Sequence, residues 1–179
     1  MRSQLISGLW LVSALLAGAA QAQSADFDHP RTVCQGLAGE GFKVGPWAQS
    51  AGAFEGTQFT AFNCISEPDV MPGNSASGFL TTLNFFAEGR TADRVEIVKL
   101  VLNVHDRKTR DTGRSKFIVT SKALFRVLGI APSPEVLAAL ENGRAGDFAT
   151  AFGRIRFEVW TVPVERQRLT IESKTALRP

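Results

Sequence analysis

His105 and Asp106 are the neighbouring residues of this chain that are best suited to acid–base chemistry. An imidazole near a carboxylate can act as a general base in hydrolysis. Successive residues of a strand point to opposite faces, so these two side chains would meet only at a strand end or turn. One hypothesis is therefore a hydrolytic site at His105 and Asp106, completed by Glu158 or Glu172. The other is an exposed or structural role for both residues.

Other catalytic patterns are absent from the sequence. It contains no Gly-x-Ser-x-Gly elbow, and its scattered glycines lack the lysine of a phosphate-binding loop. Cys34 and Cys64 are far from the spacing of a Cys-x-x-Cys pair, and neither His29 nor His105 completes a metal-ligand pattern with them. We therefore assign no catalytic residue, no cofactor and no metal ligand from the sequence.

A cluster of positive charge follows His105. Only Asp106 and Asp111 oppose it, and the interleaved Phe117 and Phe125 fall on the predicted buried stripe of a helix, so base stacking is unsupported. The cluster predicts a surface for an anionic partner, with a solvated helix face and a basic loop as the other interpretation. Its members are Arg107, Lys108, Arg110, Arg114, Lys116, Lys122 and Arg126.

The first 22 residues have the pattern of a secretory signal peptide. Arg2 precedes an apolar stretch from Leu5 to Ala20, and the small-x-small sequence that ends at Ala22 predicts cleavage there. We expect a periplasmic or secreted protein with one domain over residues 23–179 and no membrane span. Two cysteines in an exported chain most often pair, so we predict a Cys34–Cys64 disulfide rather than a reactive thiol or a metal ligand.

The elements that position these residues follow from hydrophobic periodicity. We predict a helix that Asp28 caps and that carries Cys34, and then strands over 57–65, 79–87 and 94–105. Apolar residues on both faces of the third strand indicate a central position in the sheet. Helices follow over 113–128 and from Pro134, and a hairpin with its turn at 163–166 closes the chain.

The predicted order is α-β-β-β-α-α-β-β. Strands come in runs joined by turns, and this favours the α+β class, with an antiparallel sheet of about five strands covered by helices on one face. The third strand would leave His105 and Asp106 at its exit, and the following helix would carry most of the basic cluster.

Several short motifs resemble an uncharacterised family of small exported bacterial proteins with a domain of unknown function. The resemblance covers most of the chain after the signal peptide, and its motifs are structural: two cysteines, a packed Trp47 and a core strand. It implies no activity. The motifs are Cys34, Gly41-Phe42, Gly45-Pro46-Trp47, Asn63-Cys64 and Leu100-Val101-Leu102-Asn103-Val104.

The sequence thus predicts an exported, non-enzymatic binding or interaction protein of the bacterial envelope. The basic cluster points to an acidic protein or an envelope polyanion as its partner, and an exported location argues against genomic nucleic acid. A small periplasmic hydrolase with a site near His105 is the alternative. Oligomeric state is left open.

Overall fold

The computed structural model describes residues 25–51, 60–73 and 79–176. The predicted signal peptide and its cleavage point lie outside these residues. Within the described ranges, three α-helices and two short 3-10 turns accompany the strands. They are α1 (Pro30–Gln35), a turn at Ala38–Glu40, a turn at Arg107–Thr109, α2 (Arg110–Val127) and α3 (Pro134–Asn142).

The strands of the described residues form one antiparallel sheet. Its order is β1-β2-β4-β5-β8-β7-β6, and β3 pairs with β4 beside this path. The predicted α+β class with an antiparallel sheet is confirmed, but the strand number is eight rather than about five. The strands are β1 (Ala48–Ala51), β2 (Thr60–Ile65), β3 (Asp69–Val70), β4 (Thr82–Gly89), β5 (Ile97–Val104), β6 (Gly146–Ala149), β7 (Gly153–Trp160) and β8 (Glu165–Ser173).

The three strands that sequence periodicity missed are β1, β3 and β6. Each has only two to four residues, and none alternates large apolar side chains with polar ones. Their extended conformation comes from backbone pairing with β2, β4 and β7. Such strands depend on a neighbour that is already in place, so local sequence carries little signal for them.

One face of the sheet is buried beneath the helices. Every second residue of β4 and of β5 is buried, and the residues between are half-exposed. Helix α2 packs on this inner face, where the buried rings of Phe117 and Phe157 lie 5.8 Å apart. A Cβ atom on Gly113 would lie 3.0 Å from Thr81 and 3.1 Å from Leu102, so glycine permits the close approach of helix to sheet.

Helix α2 begins three residues earlier than the spacing predicts. The Asp106 carboxylate accepts a hydrogen bond from the Lys108 amide and caps the 3-10 turn that leads into the helix. The predicted caps at Asp111 or Thr112 are therefore wrong, and so is Asp28 as the cap of α1, which begins after His29 without a side-chain cap.

The predicted disulfide is present. Cys34 lies on α1 and Cys64 on β2, with Cα atoms 6.1 Å apart and both side chains buried. Because Cys64 is paired with Ala87 on the inner face of β4, the bond joins the first helix to the covered side of the sheet.

We expect this bond to be complete in the native protein and important for stability. Alkylation without a reductant should add no mass. The double substitution of Cys34 and Cys64 by serine should lower the free energy of unfolding by about 3–4 kcal/mol, because the bond closes a loop of 30 residues. Mass spectrometry and urea unfolding measure the two effects. A native protein that takes up two alkyl groups would contradict the assignment.

The packing of α2 gives a second stability prediction. Replacing Phe117 by alanine should cost about 3–5 kcal/mol, since it leaves a cavity against Phe157. The matched control is Val119→Ala, two residues further along the same helix at a side chain that is 54% exposed, which should change stability by less than about 0.5 kcal/mol. Equal effects of the two substitutions in urea unfolding would show that α2 does not cover the sheet.

Candidate functional site

Asp106 is engaged in the connection between β5 and α2. Its Oδ1 accepts a hydrogen bond from the Lys108 amide at 2.9 Å. Its own amide donates a hydrogen bond to the Thr81 hydroxyl at 3.3 Å. The hydroxyls of Thr109 and Thr81 lie 2.8 Å apart in the same cluster. These contacts fix the chain as it leaves the sheet and enters the 3-10 turn. They give Asp106 a structural role.

His105 is exposed at the end of β5. Its ring centroid lies 5.6 Å from that of Phe79, and within the described residues it forms no hydrogen bond or ion pair with a carboxylate. Glu172 pairs with Ile97 near the other end of β5, about 26 Å away at ~3.3 Å per residue. The Glu158 carboxylate accepts a hydrogen bond from Arg168 on the adjacent strand and forms an ion pair with it. The structure does not bring the four residues of the hydrolase hypothesis together.

The basic cluster of the sequence is spread around α2. Five of its members are on this helix, where successive residues are rotated by about 100°, so they face several directions. Each of these five has a partner within the fold. The pairs are Arg110–Glu165 at 2.7 Å, Lys116–Asp69, Lys122–Glu141 at 2.7 Å, Arg126–Glu40 at 3.7 Å, and Arg114 donating to the Glu141 carbonyl at 2.9 Å.

The partners of these cations come from other elements of the structure. Asp69 belongs to β3, Glu165 to β8 and Glu141 to α3, and Glu40 lies in the 3-10 turn after α1. Each exposed pair contributes only about 0–1 kcal/mol, but together they attach α2 to its neighbours. Most of the predicted anion-binding cluster therefore serves the packing of the helix.

Three cations at one end of the sheet differ from these. Arg107 and Lys108 are exposed in the 3-10 turn after β5 and form no ion pair among the described residues. Arg166, near the start of β8, is exposed and donates to the Asn103 side chain at 2.8 Å. Asn103 and Arg166 are register partners, so all three cations lie at the end of β5 where His105 emerges.

Four exposed apolar side chains lie at the same end. Val70 pairs with the first residue of β4, Phe79 and Leu80 come just before that strand, and Val162 is in the turn between β7 and β8. Their exposed fractions are 45%, 65%, 38% and 80%. A single exposed apolar residue is ordinary, so the grouping of four at one end of the sheet is the feature that sets this end apart.

We call this surface the apolar-basic end. The sequence analysis predicts a strand that begins at Phe79 and a hairpin turn at 163–166, whereas β4 begins at Thr82 and Val162 lies within the connection between β7 and β8, so Phe79, Leu80 and Val162 are outside the strands. Only the sheet register brings them together. The apolar-basic end consists of Val70, Phe79, Leu80, Arg107, Lys108, Val162 and Arg166.

The open face of the sheet carries a different pattern of charge. Four of its cations are matched to acids on adjacent strands, with Arg168 over the Trp160 ring at 4.9 Å as well as next to Glu158. This matching leaves the face with little uncompensated charge. The pairs are Lys99–Glu88 at 3.3 Å, Arg154–Asp147 at 3.4 Å, Arg156–Glu172 at 3.8 Å and Arg168–Glu158 at 2.8 Å.

The described residues also offer no metal site and no membrane-spanning helix. No group of three or more histidine, cysteine, aspartate or glutamate side chains within residues 25–51, 60–73 and 79–176 is arranged to hold a metal ion. No helix in these ranges is long and apolar enough to cross a membrane.

Comparison with known proteins gives one match. No curated protein and no solved structure matches the chain. A family model matches residues 25–172 of the 179, a range that includes every helix described above and all of the sheet except the last residue of β8. The resemblance to an uncharacterised family is thereby confirmed, and the chain belongs to the family of unknown function DUF6030.

Proposed function

We propose that this protein is a non-catalytic binding protein of the cell envelope that recognises an anionic partner through the apolar-basic end. The observation that carries the proposal is the coincidence of two features at one end of the sheet. Arg107 and Lys108 form no ion pair with an acid of the described ranges, and Phe79 and Val162 are largely exposed at the same end.

The charge pattern supports binding at this end over the rest of the predicted basic cluster. A cation already paired with a carboxylate has little attraction left for a ligand, because a ligand must first displace the partner. Arg110 and Lys122 are in that position, each 2.7 Å from a glutamate oxygen. Arg107 and Lys108 retain their long-range attraction, which raises the rate at which an anionic partner arrives.

The apolar side chains add a contribution that charge alone does not give. Burial of exposed apolar area in a complex contributes favourable binding free energy, and this contribution does not fall when salt screens the charges. A partner that covers Phe79 and Val162 would gain contact area there while its anionic groups approach Arg107 and Lys108.

Location and chemistry both support this proposal. The Cys34–Cys64 bond is of the kind that persists in oxidising compartments, in agreement with the predicted signal peptide. The separation of His105 from Glu158 and Glu172 supports binding over hydrolysis.

The first test is neutralisation of the unpaired cations. The double variant Arg107→Gln and Lys108→Gln should weaken binding to fluorescent polyglutamate about fivefold at low salt, because each exposed ionic contact is worth roughly 0.5 kcal/mol. Fluorescence anisotropy at low and high salt gives the dissociation constants, and the difference between variant and parent should shrink as salt rises.

The matched control is Arg31→Gln with Lys174→Gln. Both residues are exposed, neither forms an ion pair among the described residues, and both lie towards the opposite end of the sheet. The control removes the same net charge, so an equal loss of affinity in both variants would reduce the effect to overall charge and reject the apolar-basic end as the site.

A further inference from the structure

We propose that the anionic partner is the surface of a lipid bilayer, and that Phe79 and Val162 enter its headgroup region while Arg107, Lys108 and Arg166 meet the lipid phosphates. This inference rests on the proposed function and names its partner. It makes the apolar-basic end a peripheral membrane contact.

The first argument is the position of the two most exposed large apolar side chains of the described residues. Val162 is 80% exposed in the turn between β7 and β8, and Phe79 is 65% exposed before β4. Strand β5 lies between β4, which follows Phe79, and β8, which follows Val162. The two side chains therefore belong to separate connections at the same sheet end, at least two strand spacings apart, or roughly 10 Å. Separate protrusions of this kind suit a deformable surface that can accept both at once.

The second argument is the position of the cations. Arg107 and Lys108 follow β5, and Arg166 is near the start of β8, so the positive charges lie at the ends of these two neighbouring strands. Each cation near an anionic bilayer increases partitioning by about fivefold, and three act together. A bilayer surface accommodates this arrangement, because its phosphates can meet the cations while the apolar side chains enter the boundary with the acyl chains.

Trp160 extends the same pattern. It is half-buried, at the end of β7, opposite Arg166 in the register. Indole rings are enriched at membrane interfaces because one edge is polar and the rest is apolar.

An acidic protein would instead need its own complementary surface for each protruding side chain, and a bilayer needs none.

The test is co-sedimentation of the disulfide-bonded protein with vesicles. We expect binding to phosphatidylglycerol-containing vesicles, weak binding to pure phosphatidylcholine, and release by salt. The variant Phe79→Ser with Val162→Ser should bind the anionic vesicles about tenfold more weakly, because it loses the apolar area that the two side chains would bury in the bilayer. The matched control Val119→Ser alters a 54% exposed side chain on α2 and should bind as the parent does.

Thermal unfolding of each variant checks that the fold is retained, which we expect because all three positions are exposed. Equal binding to both kinds of vesicle would reject recognition of anionic lipid by the cations. No binding to either, or unchanged binding of the Phe79→Ser and Val162→Ser variant, would overturn the membrane contact.

The polyglutamate measurement separates the two proposals. If the protein binds polyglutamate through Arg107 and Lys108 but does not bind vesicles, the bilayer inference is wrong, the proposed function stands, and an acidic protein becomes the partner. If neither probe binds, both proposals fail.

Discussion

Coverage of one face of the sheet by α2 is the constraint from which most of this structure follows. The alternate residues of β4 and β5 that point towards the helix are buried, and Phe117 from α2 reaches Phe157 on β7. Burial of apolar surface is the main driving force of folding, so this contact fixes which face each strand presents. The opposite face must then meet water, and its charges are matched across strands, as in Arg168 and Glu158.

The N-terminal segment depends on the same layer in a different way. Helix α1 has six residues and no side-chain cap. A helix of this length is not stable alone in water. The disulfide at Cys34 and two backbone hydrogen bonds hold α1 in place. The Asp26 amide donates to the Leu128 carbonyl at the end of α2, and the Val95 amide donates to the Phe27 carbonyl. Tertiary contacts, rather than local preference, hold this part of the chain.

The features that sequence predicted well are those that depend on near neighbours. At the start of α3 the Ser133 side chain accepts a hydrogen bond from the Val136 amide, and at the end of this helix Gly143 adopts a positive φ of 61°. Both helix ends are therefore set by adjacent residues. The central position of β5 followed from apolar residues on both faces, and its pairing with β4 and β8 agrees.

The features that sequence could not predict depend on distant partners. Arg110 is neutralised by Glu165 and Arg126 by Glu40, and no local charge count contains these acids. The hydrolase hypothesis combines His105 with a hairpin carboxylate such as Glu172, but the antiparallel register places these two residues near opposite ends of β5. The apolar-basic end arises for the same reason, since only register unites Phe79, Arg166 and Val162.

The position of β5 between β4 and β8 has a consequence for how the chain folds. β4 and β5 form a hairpin of near neighbours, and so do β7 and β8, but Val104 and Glu165 are separated by α2, α3, β6 and β7. Pairing of such distant segments carries the entropy of closing a long loop and slows folding. Until the β7–β8 hairpin docks, β5 has one edge without a backbone partner, so the centre of the sheet is completed by a strand that comes late in the order of the described elements.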